Sequence, residues 1–347
     1  SPSITELTCT NTSATLNAAG STVQGTASYV WSTGASTSSI SVSSPNTYTV
    51  TVTDSDNGCT DEISVAITQD NAAPTAAISP SITELTCTNT SATLNAAGST
   101  VQGTATYAWS TGASTASISV STPNTYTVTV TDSDNGCTDE ISVAITQDNA
   151  VPTAAISPSI TELTCTNTSA TLNAAGSTVQ GTASYAWSTG ASTSSISVSS
   201  PNTYTVTVTD SDNGCTDQIS VAITQDNDAP TAAISPSITE LTCTNTSATL
   251  NAAGSTVQGT ASYAWSTGAS TSSISVSSPN TYTVTVTDSD NGCTDEISVA
   301  ITQDNTVPTA AISPSITELT CTNTSATLNA AGATVQGTAT YAWSTGA

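Results

Sequence analysis

The sequence predicts an all-β chain of tandem β-sandwich domains, and three observations lead there. The string SPSITELTCTNTSATLNAAG recurs from Ser1, Ser79, Ser157, Ser235 and Ser313, a period of 78 residues. Within each copy, apolar residues alternate with Ser and Thr at period two through several short segments. No segment shows helical periodicity. A 78-residue period is too long for a solenoid unit and suits one small domain. Domains are therefore expected at 1–78, 79–156, 157–234 and 235–312, with a truncated fifth copy at 313–347.

In the first copy, residues 4–9 read as extended, with Leu7 and Cys9 on one face. Residues 14–18 form a short strand that ends at Gly20, and residues 28–32 a strand ended by Thr33-Gly34. Residues 39–43 alternate and stop at Pro45-Asn46. Residues 48–53 are the clearest strand, with Thr turned outward. Residues 54–58 are a turn, and residues 63–67 the last strand. The expected core is Leu7, Leu16, Trp31, Ile40, Val42, Tyr48, Val50, Val52, Ile63, Val65 and Ile67.

The chain has no Lys, Arg or His and 25 acidic residues, a formal charge of −25. Phosphate recognition runs on Lys and Arg, so nucleic acid is excluded as a partner, and anionic membrane surfaces are disfavoured. No apolar run is long enough to span a bilayer, so direct membrane insertion of this segment is not expected. Isopeptide crosslinks need a Lys and are excluded. A Ser nucleophile would lack a His or Lys base, and a small sandwich suggests no cleft, so the chain is not expected to be an enzyme. With no initiator Met, the sequence reads as a window of a longer chain.

Of nine cysteines, eight fall as two per full repeat: Cys9/Cys59, Cys87/Cys137, Cys165/Cys215 and Cys243/Cys293. Constant spacing reads as one disulfide inside each repeat, with Cys321 left over. Free buried thiols and a metal site are the other readings of the same residues. Disulfides imply an oxidising, extracellular location.

The segments YVWSTG at 29–34, NTYTVTVTD at 46–54 and NGCTDEISVAI at 57–67 resemble the PKD-like and Ig-like tandem repeats of giant bacterial surface proteins, in particular Bacteroidota cell-surface and gliding-type adhesins. The resemblance covers the whole chain, one repeat at a time. It implies tandem Ig-like β-sandwich domains arranged as an extended rod or filament. It also implies a secreted, surface-anchored stalk, often calcium-stiffened and glycosylated, that commonly leaves by the type IX route. Pro45-Asn46 stands where such repeats usually have a glycine before the YTVTVTD strand.

Two acidic clusters are candidate Ca2+ sites, since hard oxygen ligands suit that ion. One is Asp54, Asp56 and Asp61, repeated as Asp132 and Asp134. The other lies at the junctions, where Asp70 and Asn71, and again Asp148 and Asn149, are similar to cadherin linkers, with Glu6 or Glu84 completing the shell. Polar turns and Pro-set linkers account for the same residues without metal. N-x-S/T sequons at Asn11, Asn89, Asn167, Asn245 and Asn323 are candidate glycosylation sites. The outward row Thr47, Thr49, Thr51 and Thr53 reads either as a flat ice-binding array or as ordinary strand surface.

These features point to a structural component of an extracellular fibre or cell-surface stalk. Its partners would be other copies of the chain or neighbouring repeats. The second reading is an adhesin whose repeats bind glycans or neighbouring cells. Residues 313–347 hold too few strands to bury Trp343, so either the sequence is a window or a neighbouring chain donates strands.

Overall fold

The computed structural model of the protein describes residues 1–346. Among them every regular element is a strand, and four β-sandwich repeats follow in tandem. Two compact units divide the chain within the third repeat. The first holds repeats one and two with part of the third, and the second holds the rest of the third and the fourth.

The first repeat contains β1 (Glu6–Thr8), β2 (Ala14–Asn17), β3 (Ala27–Trp31), β4 (Ser39–Val42), β5 (Asn46–Asp54) and β6 (Thr60–Asp70). One sheet has the order β1-β6-β5-β3 and the facing one pairs β2 with β4. Alternation fixes which face is buried: along β5, Tyr48, Val50 and Val52 point inward while the threonines point out. Turn chemistry sets the strand ends. Gly34 takes φ 86° and its amide donates to the Trp31 carbonyl at 2.7 Å, closing the turn after β3. The buried Trp31 indole donates to the Thr37 carbonyl at 2.8 Å, so its one polar atom is satisfied in the core.

The core of this repeat is Leu7, Ala14, Leu16, Ala18, Trp31, Val42, Tyr48, Val50, Val52 and Ile67, with Ile40 and Val65 half-buried against it. Ile63, expected inside, is 67% exposed. Its counterparts Ile141 and Ile219 are exposed as well, at 36% and 37%. The last strand also runs from Thr60 to Asp70, longer than residues 63–67. It is carried past the apolar run by pairing with β5 at one end and with β1 at the other.

The second repeat has β7 (Ser79–Pro80), β8 (Glu84–Thr86), β9 (Ala92–Asn95), β10 (Ala105–Trp109), β11 (Ser117–Val120), β12 (Asn124–Asp132) and β13 (Thr138–Asp148). Its sheets are β8-β13-β12-β10 and β7-β9-β11. Here residues 75–78, just ahead of the repeated string, belong to this sandwich. Thr75 and Thr100 exchange backbone hydrogen bonds of 2.9 and 3.0 Å, Ala76 is buried in the core, and Ile78 packs against it. The same arrangement recurs at Thr153 with Thr178 and at Thr231 with Thr256. The Pro-Thr-Ala-Ala-Ile run is identical at 74–78, 152–156, 230–234 and 308–312, while residues 72–73 and their counterparts vary. The constant run is a structural part of the sandwich it enters; the variable residues are the connection.

Candidate functional site at the junction between repeats

The cysteines sit at the two ends of a repeat. Parallel pairing of β1 with the end of β6 sets Thr8 opposite Asp70, so Cys9 lies just beyond the last residue of that strand. Cys59 directly precedes its first residue. Eleven residues of strand, at about 3.3 Å each, put roughly 35–40 Å between them. A disulfide spans only about 4.4–6.8 Å between Cα atoms. The expected bond inside each repeat is therefore geometrically impossible.

The bonds cross the junctions instead. Cys9 bonds to Cys137, Cys87 to Cys215, and Cys165 to Cys293, each with a Cα–Cα distance of 5.1 Å and a sequence separation of 128. Cys59 and Cys243, expected in bonds, are free and exposed, as is Cys321. The pairing is shifted by one repeat because the first cysteine of one repeat faces the turn that opens the last strand of the next.

That turn is built to receive it. In the second repeat the Gly136 amide donates to the Asp132 carbonyl at 2.8 Å, and the Asp132 amide to the Cys137 carbonyl at 2.9 Å. The Cys137 amide donates to Asn135 Oδ1 at 2.8 Å. Gly136 has φ 71°, and a Cβ on it would run into the Thr10 side chain of the first repeat. Only glycine allows both the turn and the close approach. Gly214 against Thr88 and Gly292 against Thr166 repeat this contact.

Two side-chain clasps flank the disulfide. Asn135 Nδ2 donates to the Ala72 carbonyl of the connection at 3.0 Å, as Asn213 does to Ala150 and Asn291 to Asp228. Because the clasp holds a backbone carbonyl, it tolerates the variable side chains there. Asp139 Oδ2 accepts the Ala76 amide at 2.9 Å; Asp217 and Asp295 accept those of Ala154 and Ala232 at 2.8 Å. The Ala154 amide is the main cause holding the Asp217 carboxyl below its usual pKa, and the Ala232 amide does the same for Asp295. Cys137 and Asn135 are each 1% exposed at this junction. In the first repeat Cys59 and Asn57 are exposed.

The candidate calcium ligands are mostly used otherwise. Asp54 Oδ1 accepts the Asp56 amide at 3.0 Å, and its Oδ2 accepts the Gly25 amide and Asn57 Nδ2, each at 3.2 Å. A Cβ at Gly25 would strike both carboxylates, so Asp54 and Asp56 close over that glycine. Asp132, with Asp134 beside it, does the same over Gly103. The Asp134 and Gly103 amides hold Asp132 below its usual pKa. Asp70 and Asp148 each accept an amide two residues on, from Ala72 and Ala150 at 3.0 Å, which is a turn within the connection. Asn71 and Asn149 lie in the same connections, and Asp61 is the first repeat's counterpart of Asp139.

Glu84 does not complete a shell with Asp70 and Asn71. Its parallel pairing sets it opposite Thr146 of its own repeat, at the next junction along. Among the described residues no group of three or more His, Cys, Asp or Glu side chains could hold a metal ion. Ca2+ usually takes six to eight oxygens, so these carboxylates by themselves do not fit a calcium centre. The sequons at Asn11, Asn89, Asn167, Asn245 and Asn323 are all exposed.

The cysteine spacing by itself does not choose between the two pairings, since both repeat every 78 residues. The one legible signal for the added strand was the constancy of Pro-Thr-Ala-Ala-Ile beside a variable connection.

No family model matches the chain, and no curated protein does. Among solved structures, a Ca2+-stabilised adhesin that helps an Antarctic bacterium bind ice is similar over 84% of this chain and 94% of its own, with a TM-score of 0.53 and 16% identity. Three N-terminal domains of the outer capsid protein Hoc of bacteriophage RB49 match 68% of the chain over their whole length, at 14% identity and a TM-score of 0.27. Drosophila N-cadherin EC1-4 matches 75% of this chain and 83% of its own, at 11% identity and a TM-score of 0.24. At these identities the likeness to the adhesin concerns fold: the chain is a tandem array of Ig-like β-sandwich repeats.

Proposed function

We propose that the chain is a non-catalytic, load-bearing component of an extracellular fibre or cell-surface stalk. The observation behind this reading is the bond between successive repeats. A disulfide inside a domain protects that domain. A disulfide between domains restrains the joint, which is where a string of sandwiches would otherwise bend. In the chain-entropy account a loop with separation 128 is worth about 5 kcal/mol before overlap between loops is considered. Disulfides persist in oxidising compartments, which supports a location outside the cytoplasm.

Aromatic platforms that hold sugars need exposed rings. In the first repeat Trp31 and Tyr48 are buried and Tyr29 is half-buried against the core, which favours the stalk over the glycan-binding adhesin. Glycans fit the reading as attachments at the exposed sequons. Calcium fits it only as an auxiliary, with Asp132 and Asp134 supplementing their carboxylates by carbonyl and water oxygens.

Small-angle scattering of the oxidised protein tests the stalk. A long maximum dimension that shortens with reductant is expected. A compact or flexible particle under oxidising conditions would overturn it. Repeating the measurement in EGTA reads any calcium contribution separately.

A further inference from the structure

We propose that the Asn-Gly pair at each closed junction is a latent deamidation site, held inert while the cross-junction disulfide is intact and converted irreversibly once that bond is reduced. This goes beyond the stalk reading, because it concerns the chemistry of the joint and does not depend on what the stalk does.

Asn135-Gly136, Asn213-Gly214 and Asn291-Gly292 each stand immediately before the cysteine that receives a bond from the preceding repeat. Asparagine followed by glycine is the pair most prone to cyclise. No side chain shields the following amide nitrogen, and glycine reaches the backbone angles that ring closure needs. The Gly136 nitrogen attacks Cγ of Asn135, the side-chain nitrogen leaves as ammonia with the Gly136 proton, and a succinimide closes. Water then adds at one of the two ring carbonyls and gives aspartate or isoaspartate. One water enters, one ammonia leaves, and nothing is oxidised or reduced.

Three features of the closed joint oppose this reaction. The nucleophile is occupied, since the Gly136 amide donates to the Asp132 carbonyl at 2.8 Å, Gly214 to Asp210 at 2.7 Å and Gly292 to Asp288 at 2.8 Å. The electrophile is clamped, since Asn135 Oδ1 accepts the Cys137 amide at 2.8 Å while Nδ2 donates to the Ala72 carbonyl at 3.0 Å. Asn213 repeats both bonds, and Asn291 adds a further one from Nδ2 to Asp226 Oδ1 at 3.0 Å. The side chains of Asn135, Asn213 and Asn291 are also buried, away from the water and base that the reaction uses. Each hydrogen bond that must open is worth about fivefold, so the three at Asn135 and Gly136 together slow the reaction by about a hundredfold.

The product does not fit where the asparagine sat. A carboxylate at position 135 still accepts the Cys137 amide, but it has no proton to give the Ala72 carbonyl and sets a second acceptor against it in a buried site. Isoaspartate inserts an extra carbon into the backbone of the turn that Gly136 and Asp132 close. Reduction of Cys9–Cys137 is reversible, whereas deamidation is not. A joint therefore survives brief reduction and is lost after prolonged opening.

The test follows the full chain by peptide mass mapping in mildly alkaline buffer, with a synthetic peptide of residues 130–140 as the unprotected reference. In the oxidised chain Asn135, Asn213 and Asn291 should deamidate about a hundredfold more slowly than the peptide. Treatment with a dithiol, which is oxidised to its cyclic disulfide as Cys9 and Cys137 become thiols, should bring the rate at Asn135 close to the peptide's. On return to a glutathione redox buffer, chains deamidated at 135 should not recover Cys9–Cys137. Asn135→Asp, made directly, should lower the yield of Cys9–Cys137 by at least about tenfold, while Cys87–Cys215 in the same chain reports that it has folded. An oxidised chain that deamidates as fast as the peptide, a reduced chain as inert as the oxidised one, or an N135D chain that closes like the parent would each overturn the proposal. Any of these results with Cys9–Cys137 present removes this inference alone, whereas absence of that bond from the parent chain removes the stalk reading.

Discussion

Pulling the chain from its two ends separates the two disulfide patterns by length alone. In the observed pairing the shortest covalent path runs from residue 1 to Cys9, across to Cys137, along to Cys165, across to Cys293, and on to the far end. That path contains about 89 residues, or about 300 Å at about 3.4 Å per extended residue. Bonds inside repeats, Cys9 to Cys59 and its copies, would leave about 145 residues and about 490 Å. The reduced chain would reach about 1,180 Å. The Cys87–Cys215 bond belongs to a second path that interleaves with the first. Cys87→Ser should therefore leave the maximum length at about 300 Å. Cys137→Ser forces the path back through Cys87, Cys215 and Cys165 and should raise it to about 640 Å. Single-molecule force spectroscopy with terminal handles reads these lengths directly. An oxidised length near 490 Å, or a large increase for Cys87→Ser, would refute the cross-junction pairing. The physical consequence is that each load path skips two repeats at a time. Force then passes along β13, the connection and the start of the next repeat up to Cys165.

Other outcomes follow from single residues. Gly136→Ala should cost more stability than Gly58→Ala. Both impose a left-handed conformation on a side chain, about 1–2 kcal/mol, but only Gly136 also meets Thr10, whereas space around Gly58 is open; urea denaturation of the two variants checks this. Trp109→Ala removes a buried ring that also donates to the Thr115 carbonyl, and should cost about 3–5 kcal/mol in the same assay. The lowered pKa values of Asp217 and Asp295 predict an acid-labile junction. Their stabilisation is present above the ordinary carboxylate pKa, about 3.9, and is lost as pH falls through the lower folded values. Protection of the Ala154 and Ala232 amides, relative to intrinsic exchange at each pH, should therefore fall below about pH 4, and Asp217→Asn should flatten the response at Ala154. Unchanged protection there in acid would contradict the clasp.

Much of a single repeat was legible because the physics that sets it is local. Thr-Tyr-Thr-Val-Thr-Val-Thr fixes a strand and its buried face through period-two alternation, and Tyr48, Val50 and Val52 are buried accordingly. Trp31, Leu7 and Leu16 fall in the core for the same reason. The absence of Lys, Arg and His fixes the electrostatics without any coordinates. Pairings between distant residues were not legible. Cys9 and Cys59 share a repeat in sequence, yet the parallel pairing of β1 with β6 sends them to opposite ends of one strand. Ile63 reads as core by alternation, yet Ile63 and its counterparts Ile141 and Ile219 are all exposed. Asp61 reads as a calcium ligand or turn residue, but its counterpart Asp139 accepts the Ala76 amide of the segment that enters its own sandwich. A periodic sequence makes each cysteine equally compatible with its own repeat and with the next. Only the length of β6, measured against the short reach of a disulfide, decides which one it meets.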